Sequence, residues 1–127
     1  MGERDLTVLL KTMQPVLHAE PYGYAVTTSR DLPFQPFATM AEAEGITVVA
    51  PLAAIRAAGL TSEAWARISL SVHSDLAAVG LTAAVAGALA SAGVSCNVVA
   101  GYYHDHLFTA WDERDIAMAV LQELAVG

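Results

Sequence analysis

The chain has 127 residues, enough for one domain or for two very small ones that share a core. Hydrophobic residues make up 55% of it and charged residues 15%, which excludes general disorder, and the many alanines indicate surface buried against another subunit. The net charge of −7, with Lys and Arg spread singly, argues against nucleic acid or an anionic membrane as a partner.

The first half of the chain shows helical and strand-like periodicity in turn. Apolar residues recur at i, i+3, i+4 and i+7 from Leu6 to Met13, which predicts an opening helix that Pro15 ends. Pro51 suits the first turn of a later short helix, and Gly59 can cap that helix. The predicted elements of this half are a helix over residues 3–13, strands over 22–28, 38–43 and 46–50, and a helix over 52–58.

The second half is dominated by an uncharged run from Leu76 to Tyr103. Its length would allow it to cross a bilayer, which needs about 20 apolar residues. Gly80, Gly87 and Gly93 interrupt the run, however, and its periodicity changes from helical to strand-like after Gly93, so a buried core is expected instead. The predicted elements of this half are strands over residues 67–72, 94–102 and 107–111, helices over 80–92 and 112–125, and a turn over 104–106.

The predicted elements suggest a weak internal repeat. Without the short strand at residues 38–43, their order is α-β-β-α followed by β-α-β-β-α, and each half ends with a strand that runs into a helix. This is the pattern of split β-α-β units, as in ferredoxin-like folds. Two complete copies would need more strands than the sequence shows, so the halves are expected to share a sheet or to complete it with another subunit.

Several strings carry a resemblance to a known family. Residues 80–93 read GLTAAVAGALASAG and lead into the strand VSCNVV. They resemble the first helix and second strand of ACT domains, in which a loop glycine starts a helix of the form G-x-x-A-x-V-x-x-x-L-A-x-A-G. With EGITVV, HSDLAAVGLTAA and SCNVVAGYYHDHLF, nearly the whole chain is similar to small bacterial proteins with two ACT-type halves.

The resemblance implies both a fold and a function. It implies an α+β, ferredoxin-like (βαββαβ-type) ACT fold whose two halves, residues 1–62 and 63–127, pack together. ACT domains generally bind amino acids or other small effectors at subunit or domain interfaces. We therefore expect a regulatory or sensor protein, a homodimer without an enzyme domain or a cofactor, that binds an amino acid. The alternative is a structural or protein-interaction module that binds no ligand.

The loop before the helix at residue 80 is the candidate ligand site. The helix start offers unpaired N–H groups and a positive dipole end to a carboxylate, and Gly80 lets a ligand approach because it lacks Cβ. Asp75 can accept an ammonium group, and Asn97 on the neighbouring strand can both donate and accept. The candidate ligand-binding residues are His73, Ser74, Asp75, Leu76, Val79, Gly80, Leu81, Thr82 and Asn97.

These assignments have simpler alternatives. Asp75 could serve only as a helix N-cap, and Asn97 could be a buried amide with its hydrogen bonds satisfied. Many ACT loops have Pro where this chain has Val79, so loop conformation and ligand identity stay open. The chain starts with charged residues and no long apolar run before Lys11, which predicts a cytoplasmic protein, and Cys96 alone excludes an internal disulfide.

A second group of polar residues, His104, Asp105 and His106, invites a metal-site hypothesis together with His73. Neighbours on a strand alternate faces, so the two histidines would point one way and Asp105 the other. His73 and this group can also lie at opposite ends of the sheet, so a polar turn is expected and no metal site. Ser74 adjoins His73 and Asp75 too closely for a catalytic triad, and no enzyme activity is expected.

Overall fold

A computed structural model describes residues 2–75 and 77–127 of the chain. The chain divides into two compact units. Unit 1 comprises the residues up to His18 together with Ala66–Gly127, and unit 2 comprises Ala19–Trp65. The N-terminal segment therefore packs with the C-terminal part of the chain.

The described residues of unit 1 form four strands and three α-helices. Its first elements, α1 and β1, come from the N-terminus, and the rest follow in the order β5, α3, β6, β7, α4 after a segment that belongs to unit 2. A short 3-10 helix over Trp111–Glu113 leads into α4. The bounds of these elements are α1 Leu6–Thr12, β1 Pro15–Leu17, β5 Trp65–Leu70, α3 Leu81–Ser91, β6 Asn97–Ala100, β7 Asp105–Ala110 and α4 Arg114–Val126.

The sheet of unit 1 has the order β1-β5-β7-β6. β1 pairs antiparallel with β5 through Val16↔Ser69, and β6 pairs antiparallel with β7 through Val98↔Leu107. The run β5-α3-β6-β7-α4 supplies five of the six elements of a β-α-β-β-α-β unit. The sixth is β1, which precedes the others in the chain and lies beside β5 where a strand after α4 would be expected.

One buried cluster joins the helices of unit 1 to one face of this sheet. In β5, Ile68 and Leu70 are buried at alternate positions, as a strand with one covered face requires. In α3, Leu81, Val85 and Leu89 are buried at a spacing of four, which places them on one stripe of the helix. Each such side chain contributes roughly 1.5–3 kcal/mol by leaving water.

Unit 2 contains three strands and one helix: β2 Tyr22–Thr27, β3 Ala38–Glu42, β4 Gly45–Pro51 and α2 Leu52–Ala57. β4 pairs antiparallel with both β2 and β3. A loop over residues 28–37, which contains Pro33 and Pro36, connects β2 to β3 where a complete β-α-β-β-α unit has a helix. Its core includes Ala25, Val48, Ala50 and Ile55.

The structure confirms the α+β, ferredoxin-like architecture and most of the predicted elements. β1 was not predicted, because a three-residue strand after Pro15 has too short a pattern to recognise. The predicted boundary of the halves after residue 62 stays a prediction. Among residues 2–75 and 77–127, no helix is both long enough and apolar enough to cross a membrane.

The turn predicted at residues 104–106 is wrong. The tip of the hairpin is formed by Tyr102 and Tyr103, and the N–H of Gly101 donates to the carbonyl of His104 at 2.9 Å to close it. Asp105 is the first residue of β7 and pairs with Ala100. The polar character of the HDH string suggested a turn, but the strand ladder extends through Asp105.

Candidate ligand-binding cleft

A cleft of about 120 Å³ lies in unit 1 where the loop after β5 enters α3. This volume is well above the roughly 10–15 Å³ that a single water requires. The ends of β6 and β7 close its other side. We call it the α3 cleft, and its lining residues are Ser74, Asp75, Ala78, Gly80, Leu81, Thr82, Ala100 and Asp105.

The start of α3 supplies the positive end of this cleft. Gly80 is the N-cap residue with φ 102°, and no side chain caps the helix or places an acid in its first turn. The first N–H groups of the helix therefore have no partner within it, and the helix dipole favours an anion there. A Cβ at Gly80 would lie 3.1 Å from Cδ2 of Leu6, so the missing side chain makes room for α1.

Asp75 holds the loop in shape and is already paired. Its Oδ1 accepts a hydrogen bond from the N–H of Ala77 at 2.8 Å, and its Oδ2 lies 3.2 Å from Nε of Arg4. The Ala77 hydrogen bond first, and then Arg4, lower the pKa of this carboxyl below its ordinary value. Because Arg4 compensates its charge, Asp75 is a poor candidate for the group that receives a ligand's ammonium.

Arg4 belongs to a segment, residues 2–5, that lies along the loop and that we call the N-terminal strap. The N–H of Glu3 donates to the carbonyl of His73 at 2.9 Å, and the N–H of Asp75 donates to the carbonyl of Glu3 at 2.9 Å. A Cβ at Gly2 would collide with the backbone N of Asp75, so the two segments are in direct backbone contact. The strap therefore fixes the backbone of the loop.

Asp105 supplies the negative end of the α3 cleft. It is half-buried at the start of β7, opposite Ala100, and burial raises the pKa of its carboxyl. A hydrogen bond from Ser74 and the positive charge of His104 oppose that shift. The cleft thus combines an uncapped helix N-terminus with a carboxylate, an arrangement that suits a ligand with one anionic and one cationic group.

The structure brings five of the predicted ligand residues together, namely Ser74, Asp75, Gly80, Leu81 and Thr82. Val79 is 82% exposed and does not line the cleft, and Leu76 lies outside the described residues. His73 instead faces the hairpin tip, with its ring centroid 5.3 Å from that of Tyr103.

Asn97 lies away from the α3 cleft. It is three positions before Ala100 on β6, and since side chains alternate along a strand, the two residues face opposite sides of the sheet. Asn97 is exposed and pairs with Phe108, whereas Ala100 and Asp105 face the cleft. A role for Asn97 in binding stays a prediction without support from its position.

Asp105 is not among the predicted ligand-binding residues, because the sequence predicts a structural turn at its position. The alternation of His104, Asp105 and His106 on a strand already separated the acid from the two histidines. The sequence does not show that β7 lies beside the loop, and it is this position that brings Asp105 to the α3 cleft. The expectation that His73 and this group can lie at opposite ends is wrong, because His73 contacts the hairpin tip and His104 Nδ1 lies 3.2 Å from the carbonyl of Val72.

His106 joins a chain of polar contacts on the other face of the sheet. Ser69 Oγ lies 2.8 Å from His106 Nδ1 and 2.9 Å from His18 Nε2, and Arg67 reaches the same Nδ1 at 3.3 Å. Burial, and then the positive charges of Arg67, His104 and His18, lower the pKa of His106 to about 4. Within the described part of the chain, no group of three His, Cys, Asp or Glu residues is placed to hold a metal ion.

Comparison with known proteins gives the family. The ACT domain model matches residues 1–67, and a second ACT domain model matches residues 60–123. Among curated proteins, none matches the chain. A protein of unknown function from Vibrio cholerae, described as a possible transport protein, is 42% identical with a TM-score of 0.84, and the match covers 94% of this chain and 95% of that one.

More distant structures share the fold alone. The ligand-free regulatory subunit of aspartate kinase from Thermus thermophilus is 11% identical with a TM-score of 0.61, over 90% of this chain and 99% of that one. Escherichia coli aspartokinase III, in complex with aspartate and ADP, is 9% identical with a TM-score of 0.66, over 89% of this chain and 33% of that one. Since ACT models match almost from end to end, the chain belongs to the ACT domain family, a family of regulatory ligand-binding modules.

Proposed function

We propose that this protein binds an amino acid with a small side chain in the α3 cleft and acts as a sensor or as a regulatory partner of another protein. The observation that carries the proposal is the pairing of opposite polarities across a small cleft. The uncapped N-terminus of α3 suits a carboxylate, and Asp105 suits an ammonium. A free amino acid has both groups.

The size of the cleft supports a small ligand. At about 120 Å³ it accommodates the backbone atoms of an amino acid and a few side-chain atoms. Its remaining walls are apolar at Ala78 and Ala100, while Thr82 adds a hydroxyl at the helix start. We therefore expect glycine, alanine, serine and threonine to bind better than aromatic or long cationic amino acids.

Binding would act by stabilising one arrangement of the loop. The N-terminal strap already holds residues 73–75 by backbone hydrogen bonds, and a ligand between the loop and β7 would add contacts to the same arrangement. A ligand shifts an equilibrium only by its difference in affinity for the two states. Regulation would follow if a partner protein distinguishes the held loop from a released one.

The direct test measures the unfolding temperature of the protein with each of the twenty amino acids, followed by calorimetric titration of those that raise it. A ligand that binds only the folded state must raise the unfolding midpoint. Asp105→Asn should reduce affinity by roughly tenfold or more, because a charge-assisted hydrogen bond is lost. Asp112→Asn removes an exposed acid outside the cleft and should leave affinity unchanged. Absence of any stabilising amino acid, or unchanged affinity in Asp105→Asn, would contradict the proposal.

We further propose a cytoplasmic homodimer. In unit 2, Val26 and Met40 both pair with Thr47 from its two sides, and their side chains are 63% and 61% exposed. Adjacent exposed apolar side chains on a sheet face are typical of an interaction surface. Light scattering should give twice the chain mass, and replacing Val26 and Met40 together by Lys should shift the protein towards monomer.

A further inference from the structure

Unit 2 contains a cleft of its own, of about 240 Å³. We call it the Arg30 cleft, and its lining residues are Ser29, Arg30, Leu32, Thr39, Ala41 and Ile46. All six belong to unit 2, so the cleft is a feature of that unit alone. It is twice the volume of the α3 cleft.

The two clefts occupy the same place in the topology of their units. Each lies against the segment that follows one strand, β2 in unit 2 and β5 in unit 1, and against the next two strands of the chain. The correspondence extends to single strand pairs. Ala41↔Ile46 lines the Arg30 cleft, and Ala100↔Asp105 lines the α3 cleft. Each pair lies close to the hairpin turn that joins its two strands.

The chemistry at these equivalent places is opposite. Ile46 stands where unit 1 has the carboxylate of Asp105, so an ammonium would find no acid among the residues that line the Arg30 cleft. The loop over residues 28–37 stands where unit 1 has the N-terminus of α3. The positive group in unit 2 is instead the guanidinium of Arg30.

Arg30 is available to a ligand. Its side chain forms no hydrogen bond or ion pair with residues 2–75 or 77–127. The loop that carries it is nevertheless held in shape: the N–H of Ser29 donates to Thr27 Oγ1 at 3.2 Å, and the N–H of Asp31 donates to Ser29 Oγ at 3.1 Å. A guanidinium on a held loop can grip a carboxylate with two parallel hydrogen bonds.

The rest of the cleft is suited to hydrocarbon. Leu32 and Ile46 pack against the core cluster of unit 2, and Ala41 lies across from Ile46 on the same strand pair. Thr39 precedes Ala41 by two positions, so both side chains point into the cleft while Met40 and Glu42 point away. The hydroxyls of Ser29 and Thr39 therefore accompany three apolar side chains and one cation.

We propose that the Arg30 cleft is a second binding site, which takes a small monocarboxylate with a branched or linear hydrocarbon chain and no amino group. The carboxylate would pair with Arg30, and the hydrocarbon chain would contact Leu32, Ala41 and Ile46. The protein would then bind two chemically different small molecules, one in each unit. This proposal does not depend on amino-acid binding in the α3 cleft, because no residue is shared.

The test uses the full chain and 4-methylpentanoate as the probe, followed through backbone amide resonances. Millimolar probe should shift the amides of residues 29–32 and 39–46 in a saturable way. Arg30→Gln should weaken this binding by roughly tenfold or more. Arg56→Gln removes the same charge from an exposed position in α2 and should leave the affinity unchanged.

The proposal would be overturned by no saturable shift of these amides, by equal weakening by Arg30→Gln and Arg56→Gln, or by equally tight binding of the neutral amide 4-methylpentanamide. Asp105→Asn should leave binding of the probe intact while it impairs binding of amino acids. Failure of one site is therefore distinguishable from failure of the other. Binding of leucine as tightly as the probe would also contradict the site, since its ammonium has no partner there.

Discussion

Nε of Arg4 lies 3.2 Å from Oδ2 of Asp75, and this ion pair joins the N-terminal strap to the loop of the α3 cleft. Together with the backbone hydrogen bonds of Glu3, it ties the start of the chain to the loop that follows β5. Asp75, the acid that the sequence places in the loop, is thus already paired with a cation of the chain. The acid that faces the cleft, Asp105, comes from a strand that the sequence does not place there.

Replacing Arg4 with Gln should loosen the loop more than it destabilises the protein. Arg4 is 65% exposed, so the free energy of unfolding should fall by no more than about 1 kcal/mol. The amide of Asp75, which bonds to the strap, should exchange its hydrogen distinctly faster. Arg56→Gln, in unit 2, is the matched control. Unchanged exchange at Asp75 would show that the ion pair does not hold the strap.

Replacing the glycine that caps the start of α3 and the glycine in its middle should change the free energy of unfolding in opposite directions. Gly80→Val should lower the free energy of unfolding by about 1–3 kcal/mol, because φ is 102° there and a Cβ would meet Leu6. Gly87→Ala should raise it by roughly 0.5–1 kcal/mol, because the helix interior leaves open space for a Cβ. Urea unfolding of both variants measures the contrast. A stabilising Gly80→Val would refute the left-handed conformation of the cap.

Asp105→Asn should stabilise the free protein at neutral pH while it impairs amino-acid binding. Burial raises the pKa of this carboxyl, so the fold favours its protonated form over its charged form. The stabilisation that the protonated carboxyl contributes is lost as the pH rises through the pKa of the folded state. Removing the charge should therefore raise the unfolding temperature at pH 7. The gain should vanish at a pH low enough to protonate Asp105. A lower unfolding temperature at pH 7 would contradict this account.

His106 should make stability depend on pH in a defined window. Its pKa in the fold is about 4, below the ordinary 6.5, so the unfolded chain binds more protons between these values. The free energy of unfolding should therefore fall as pH is lowered from about 6.5 to 4. His106→Gln should flatten this part of the profile. Identical slopes for wild type and His106→Gln would exclude this contribution.

Thr109→Val should stabilise the protein. Thr109 is fully buried in β7, and its Oγ1 has no hydrogen-bond partner in the described part of the chain. Replacing an unsatisfied hydroxyl by a methyl of the same shape should raise the free energy of unfolding by about 1 kcal/mol. Thr47→Val is the control, because Thr47 Oγ1 donates to Glu42 and should not be stabilised by the same change. Thermal unfolding of both variants measures the difference. A lower unfolding temperature for Thr109→Val than for the wild type would contradict this prediction.

The periodicity of the sequence predicted local structure well. The apolar stripe of α3 and the alternation in β5 depend on neighbours a few positions apart, and both appear in the structure. The start of α3 directly after Gly80 was also predictable, since glycine is one of the residues found at helix N-caps and a regular apolar stripe follows it. The ends of β6 and β7 were less so, because polar strand residues resemble a turn.

The sequence by itself determined the family, the ferredoxin-like element order and the loop where a ligand is expected. Only the tertiary structure decided which side chains that loop meets. β1 takes its place beside β5, Arg4 neutralises Asp75, and Asp105 enters the cleft through contacts between distant parts of the chain. Local periodicity indicates which face of its own helix or strand a residue occupies. The order of the strands determines which other segment that face contacts.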